Sequence, residues 1–176
     1  MTEKKALIFL LGVMLIIYTG VALVPVVAGV SLFSGGAADY IEYQGQATKI
    51  VERVFDGNFS LRDLGLDHFF PVLVGYLYTV FPNNILIGQI LNVGFSVLSI
   101  LFVYLIVREL GGSLKQALLA SLVAGIYPSF VLFTTMFSED ALVATLTLGG
   151  LWLILCLLKE FTWKRLFIFG ILLILL

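Results

Sequence analysis

The sequence predicts an all-α integral membrane protein, a multi-spanning helix bundle with two interfacial helices in its first outer loop. Three observations lead to that class. Of the 176 residues, 61% are hydrophobic and 12% charged, against about 45–50% and about 25% in soluble domains. A water-soluble fold of this length has no interior that could hide so much apolar side chain. The apolar residues also come in runs long enough to cross a bilayer, and the basic residues gather between alternate runs. The net charge of −1 offers no basic stripe for nucleic acid, and the single cysteine, Cys156, excludes a disulfide framework or a cysteine metal cluster.

The first run, residues 6–30, follows Glu3, Lys4 and Lys5. A signal peptide begins with the same positive charge, but its apolar region is typically about 7–15 residues long. This run is long enough to span. The second, 84–107, would reach about 36 Å at about 1.5 Å per residue, enough for a hydrocarbon core of about 30 Å. Ser113 and Gln116 have capping-box spacing and open a third span over 114–137, with a kink expected at Pro128. A fourth covers 141–158, and a fifth, 166–176, has covered only 11 residues at Leu176. A helix ending inside hydrocarbon leaves its last carbonyls unpaired. The sequence is therefore expected to be the amino-terminal part of a larger polytopic domain.

With the amino terminus inside, Lys4, Lys5, Arg108, Lys115, Lys159, Lys164 and Arg165 are cytoplasmic, seven of the ten basic residues, as the positive-inside rule requires. Eight of the eleven acids, including Asp39, Glu139 and Asp140, then lie outside. The outer loop, 34–83, is expected to be organised. After Ser34, Gly35 and Gly36, residues 40–55 carry Tyr40, Tyr43, Ala47, Val51 and Val54 at the spacing of one helical face. Such a helix should lie on the membrane surface. Residues 69–81, broken by Pro71 and closed by Pro82, are too short to span and are assigned to the interface as well.

One span, an outer loop of two interfacial helices with an Asp at the start of the first, and an acid in the second outer turn together resemble the GT-C superfamily of membrane glycosyltransferases. The likeness is to its dolichyl-phosphate-mannose protein mannosyltransferase-like and lipid A aminoarabinose transferase-like members. Asp39, Tyr43 and Ala47 match the family's Asp, Tyr, Ala spacing of four and four. His68 stands where the family has a His before its second interfacial helix, and Ser138-Glu139 matches the Ser-Glu that opens the fourth span. Two departures stand beside these matches. Asp39 is followed by Tyr40 rather than Glu, and His68 by two phenylalanines before Pro71.

The resemblance implies transfer of a sugar from a polyprenyl-phosphate-linked donor to a protein, lipid or glycan acceptor at the extracytoplasmic face of a bacterial or archaeal plasma membrane. Asp39 occupies the family's position for the general base, and Glu139 would face it to orient the acceptor or a metal. Tyr43, Arg53, His68 and Asp140 are the implied substrate-binding residues. No cofactor is certain, and a divalent metal is left open. The lipid bilayer is the other partner, and no nucleic acid is expected.

The same residues have plainer readings. Asp39 and Glu42 also have the spacing of an N-cap and an acid at N3. Glu139 and Asp140 open a helix where the dipole favours acids in any protein, and His68 has no second His with which to build a site. Tyr76, Tyr78 and Trp163 suit interfacial anchors. The alternative function is transport: a permease, flippase or polymerase subunit for lipid-linked sugars. Transport usually needs ionisable groups near the midplane, and here only Gln89 and Asn92 are strongly polar inside the spans, with Pro25 and Pro128 as candidate breaks.

Overall fold

The computed structural model describes residues 2–28, 37–57, 69–81 and 84–176, and side chains for all of these except 25, 26, 28, 37–40 and 133–135. Every regular element among the described residues is an α-helix. In order they are α1 (Glu3–Ala28), α2 (Ala37–Phe55), α3 (Phe69–Val80), α4 (Ile85–Glu109), α5 (Leu114–Ile126), α6 (Pro128–Thr135), α7 (Asp140–Lys159) and α8 (Trp163–Leu175). Three of the described helices are long and apolar enough to cross a membrane: α1, α4 and α7. The protein is an all-α membrane helix bundle.

The long helices start and stop for local reasons. Asn84, in extended conformation, accepts the Leu86 N–H at 3.0 Å and caps α4. Ser113 caps α5 with the reciprocal box: its hydroxyl accepts the Gln116 N–H at 3.3 Å while Gln116 Oε1 accepts the Ser113 N–H at 2.8 Å. Thr162 accepts the Arg165 N–H at 3.4 Å at the start of α8. Between α4 and α5, Gly111 adopts φ +87°, a left-handed conformation that glycine tolerates without cost.

The segment expected as a span with a kink at Pro128, 114–137, is interrupted at that place: α5 ends at Ile126 and α6 begins at Pro128. Proline disfavours the helical conformation of the residue before it, and Tyr127 is extended, with φ −61° and ψ 120°. The break leaves the last carbonyls of α5 without regular helical partners. Ala124 O takes the Tyr127 N–H at 3.4 Å, and Gly125 O accepts the buried Tyr18 hydroxyl of α1 at 3.0 Å. Tyr18 is fully buried, so this donor does the work that water cannot do there.

α4 is the hub and packs against α1, α3, α5, α6 and α7. One face of it meets α1 around Met14, Tyr18, Ala22, Val93 and Ile100. Its contact with α7 is close because the facing residues are small. Ser99 Oγ lies 2.9 Å from Thr145 Oγ1, which is in turn 2.7 Å from the Phe95 and Ala141 carbonyls and can donate to either. Gly149 lets the Phe102 ring approach to 3.1 Å of where a Cβ would stand. Small and hydroxyl side chains are what membrane helices use at close crossings.

The two ends of the bundle differ in charge. At one end Glu3 pairs with Arg108 at 3.3 Å and accepts the Tyr104 hydroxyl at 2.5 Å, Glu109 pairs with Lys159 at 2.9 Å, and Glu160 with Arg165 at 3.4 Å. The start of α1 and the ends of α4 and α7 therefore share that end, α1 running against the other two. The starts of α4 and α7, and the turn between α6 and α7, share the opposite end.

Replacing Tyr18 by Phe removes the donor to Gly125 O while keeping the ring, and interhelical hydrogen bonds in membranes contribute about 0.6–2 kcal/mol. The thermal midpoint of the detergent-solubilised Tyr18→Phe protein should fall, whereas Tyr127→Phe, at an exposed position, should leave it unchanged. Equal midpoints for the wild type and Tyr18→Phe would show that the break needs no such donor.

Candidate active site at the acid-bearing end

The site is built from α2, α3 and the turn joining α6 to α7. α2 buries Tyr43, Gln46, Ala47 and Ile50, the i, i+3, i+4, i+7 pattern of one helical face. That face is rotated slightly from the one expected, toward Gln46 and Ile50 and away from Val51 and Val54, which are only partly buried. Gly75 of α3 explains the shift. A Cβ there would lie 2.8 Å from Ile50 Cβ, so glycine lets the two helices close on Ile50. Gln46 is carried into the contact and donates from Nε2 to Glu42 Oε1 at 3.2 Å.

A run of aromatic contacts leads from this helix pair to the α6–α7 turn. Tyr43 meets Phe70 of α3 edge-on, with ring centroids 6.4 Å apart at 65°, and Phe70 meets Phe137 at 5.4 Å and 72°. Such T-shaped geometry is the favoured one for aromatic pairs. All three rings belong to one core with Ala47, Val74, Tyr78, Leu142 and Leu146. Phe137 is seated on Gly88 of α4, where any Cβ would overlap its ring, Cδ2 being 2.5 Å away.

The next three residues carry the acids. Ser138 Oγ donates to Asp140 Oδ2 at 2.7 Å. Glu139 directly precedes α7 in right-handed helical conformation and is half-buried, while Asp140, the first residue of α7, is exposed. The backbone of this turn is held from α4: Asn92 Nδ2 donates to the Ser138 carbonyl at 2.7 Å and also to the Met136 carbonyl.

The sequence-predicted residues fall into three groups. Glu139 and Asp140 are together on the turn. Asp39, Tyr43 and Arg53 are on α2, but spread along it: Asp39 is the third residue of the helix and Arg53 lies in its last turn, a separation of about 21 Å along the axis at about 1.5 Å per residue. Asp39 thus sits inside the first turn rather than ahead of it as an N-cap, and Tyr43 is packed in the core, 8% exposed. His68 lies outside the described residues, as do Arg62, Asp63 and Asp67. Among the described residues no three His, Cys, Asp or Glu side chains converge as metal ligands.

Sequence reasoning noticed Asn92 only as a polar residue within a span, and did not single out Phe70, Phe137 or Gly88. A signal was present: Gly88 and Asn92 are four apart, so a missing side chain and an amide share one face of α4.

Residues 68–175 match the family model of the dolichyl-phosphate-mannose-protein mannosyltransferases. The match takes in α3 to α8, including the acid-bearing turn, and begins after α2. No curated protein and no solved structure matches the chain. An all-helical membrane bundle with this match is a membrane glycosyltransferase of the GT-C type. The chain belongs to the dolichyl-phosphate-mannose-protein mannosyltransferase family.

The buried face of α2 can be tested directly. Ala47 is fully buried, so Ala47→Glu would place an unpaired carboxylate in the aromatic core at a cost of several kcal/mol, whereas Lys49 is exposed and Lys49→Glu should be tolerated. Folded yield after detergent extraction and gel filtration reads the difference, and equal damage from both would reject this helical register.

Proposed function

We propose that the protein transfers a sugar from a polyprenyl-phosphate carrier to an acceptor at the extracytoplasmic membrane face, with Asp39 as the general base. The observation that carries the reading is the family match, and within it the position of the acids. Ser138, Glu139 and Asp140 stand at the bundle end opposite the basic cluster, on a turn packed through Phe137 and Phe70 against Tyr43, about 6 Å along α2 from Asp39.

The chemistry asks for few groups. The donor is already activated, because a phosphate on the anomeric carbon is a good leaving group. A bond forms between the acceptor's nucleophilic atom and the anomeric carbon as the bond from that carbon to the phosphate oxygen breaks. The acceptor's proton passes to Asp39, and the electron pair leaves with the lipid phosphate. A carboxylate within hydrogen-bond reach of the acceptor serves as that base. Glu139 orients the acceptor, and Asp140, held by Ser138, contributes to binding. The leaving phosphate gains charge, which basic groups nearby stabilise; Arg53 and His68 are assigned that role on the resemblance. Tyr43 supports the site by packing beneath it.

The three described helices long and apolar enough to cross a membrane, α1, α4 and α7, carry their charges only at their ends. That favours chemistry at the membrane surface over a charged path through it, since transport pathways use intramembrane ionisable groups.

The orientation is tested with single cysteines in a background lacking Cys156, placed at the exposed positions Glu52 and Lys115. Intact cells should show labelling at Glu52 by an impermeant thiol reagent, and labelling at Lys115 only after permeabilisation. The reverse pattern would put Asp39 in the cytoplasm and end the case for an extracytoplasmic site.

The base is tested by Asp39→Asn, which keeps side-chain size but has no usable proton affinity at neutral pH. Sugar transfer from a polyprenyl-phosphate donor, measured with equal amounts of folded protein in membranes, should fall by about 10²–10⁴-fold. An acid in the first turn of a helix contributes only about 0.3–1 kcal/mol through the dipole, so a structural role predicts a small change in stability and a near-normal rate. Glu139→Gln should lose less than Asp39→Asn. Near-normal transfer by Asp39→Asn would remove Asp39 from the mechanism.

A further inference from the structure

Asn92 is fully buried in α4, where an amide is costly unless its hydrogen bonds are used. Both bonds of its Nδ2 go to one place, the carbonyls of Met136 and Ser138. These belong to the four-residue connection between α6 and α7. One turn earlier on the same face of α4, Gly88 leaves the space that the Phe137 ring fills. Two residues of one rigid helix therefore grip residues 136–138 from two sides, by their backbone and by their ring. The turn contains no proline or glycine to stiffen or shape it, so the grip comes from α4.

What is gripped is the base of the acid-bearing turn. Ser138, whose carbonyl Asn92 holds, also donates to the Asp140 carboxylate at 2.7 Å, and Glu139 is the next residue along. Phe137, seated on Gly88, is the ring against which Phe70 packs, with Tyr43 behind it. A helix-packing role alone would be met by the hydroxyls that α4 uses elsewhere: Ser96 bonds back to the Asn92 carbonyl at 2.8 Å, and Ser99 meets Thr145. Asn92 instead spends its donors on backbone outside any helix.

We propose that Asn92 is a positioning residue for sugar transfer, fixing the direction of the Glu139 and Asp140 carboxylates by holding the Met136 and Ser138 carbonyls. The proposal rests on the reading of this turn as part of the transfer site. Misplacement of a reacting group by about 1 Å costs up to about 10²-fold in rate, which sets the scale of the effect.

The test has a structural arm and a kinetic arm, both on the protein in its membrane. In the first, spin labels on cysteines at the exposed positions Ile90 and Asp140, in a background lacking Cys156, report the distance between α4 and the turn. A narrow distribution should broaden in Asn92→Ala and narrow again in Asn92→Gln, which restores an amide donor. An unchanged distribution in Asn92→Ala would overturn the proposal. In the second, Asn92→Ala should lower kcat by about 10–100-fold with the KM for a polyprenyl-phosphate-sugar donor unchanged, and Asn92→Gln should recover part of the loss. Its effect should largely disappear in a Glu139→Gln background, because residues acting as one unit are not additive. Ser138→Ala, which cuts the link to Asp140 without touching α4, should show a smaller kcat loss and keeps the test open if Asn92→Ala does not fold. Normal transfer by Asn92→Ala, or by Ser138→Ala where Asn92→Ala does not fold, would overturn the positioning role. Normal transfer by both Glu139→Gln and Asp140→Asn would remove the turn from the site, and the proposal with it, while the label distances would still show whether the grip exists.

Discussion

The fold depends on one constraint: where helices meet in a bundle without water, every backbone donor and acceptor must find a partner inside the protein. Three long helices meet it by their own ladders. The interesting places are those where a ladder is interrupted, because there a side chain from another helix must supply what the backbone lacks. Tyr18 reaches from α1 to Gly125 O beside the break at Tyr127, and Asn92 reaches from α4 to Met136 and Ser138 beyond the end of α6. α6 thus has a polar side chain near each of its ends, one from each neighbouring span. The irregular segment is as determined as a continuous helix would be, but by tertiary contacts rather than by local ones.

The same constraint explains why α4 is the hub. A helix that supplies donors to its neighbours must approach them closely, and its contact faces carry Gly88, Asn92, Ser96 and Ser99, all of them buried. These residues contribute little by apolar burial, since lipid tails are as apolar as any leucine and offer no driving force for helix association. They contribute by van der Waals closeness and hydrogen bonds. The leucines and isoleucines of the chain, exposed in large number on α1, α5 and α8, face outward because hydrocarbon is their solvent.

How much of this was legible in the sequence follows from the range of the forces involved. The long helices were legible because run length and end charges are local properties, and the capping box at Ser113 and Gln116 was legible for the same reason. Pro128 announced a disturbance, but whether a helix bends or breaks depends on what lies beside it. Tyr18 is 107 residues from its acceptor, beyond any spacing rule. The buried face of α2 was nearly right, since periodicity gives a face to within one residue's rotation; Gly75 of α3 decided the remainder. For the candidate site, Glu139 and Asp140 were visible as acids at a helix start. The support beneath them was not, because Gly88, Asn92, Phe70 and Phe137 are each unremarkable alone and acquire meaning only once α3, α4 and the α6–α7 turn come together.

The division of charge then bears on where chemistry can occur. At one end, acids and bases pair with each other across helix termini, Glu3 with Arg108 and Glu109 with Lys159. Those carboxylates already have partners and serve to hold the bundle. At the other end the acids of the turn are arranged differently: Asp140 accepts a serine hydroxyl, and the backbone carrying Glu139 is held by an amide. The aromatic run from Tyr43 through Phe70 to Phe137 ties α2 to that same turn, so α2, through Tyr43 and Ala47, and the turn bearing Glu139 share one core. That contact runs through three rings and ends on one glycine, since Phe137 is seated on Gly88.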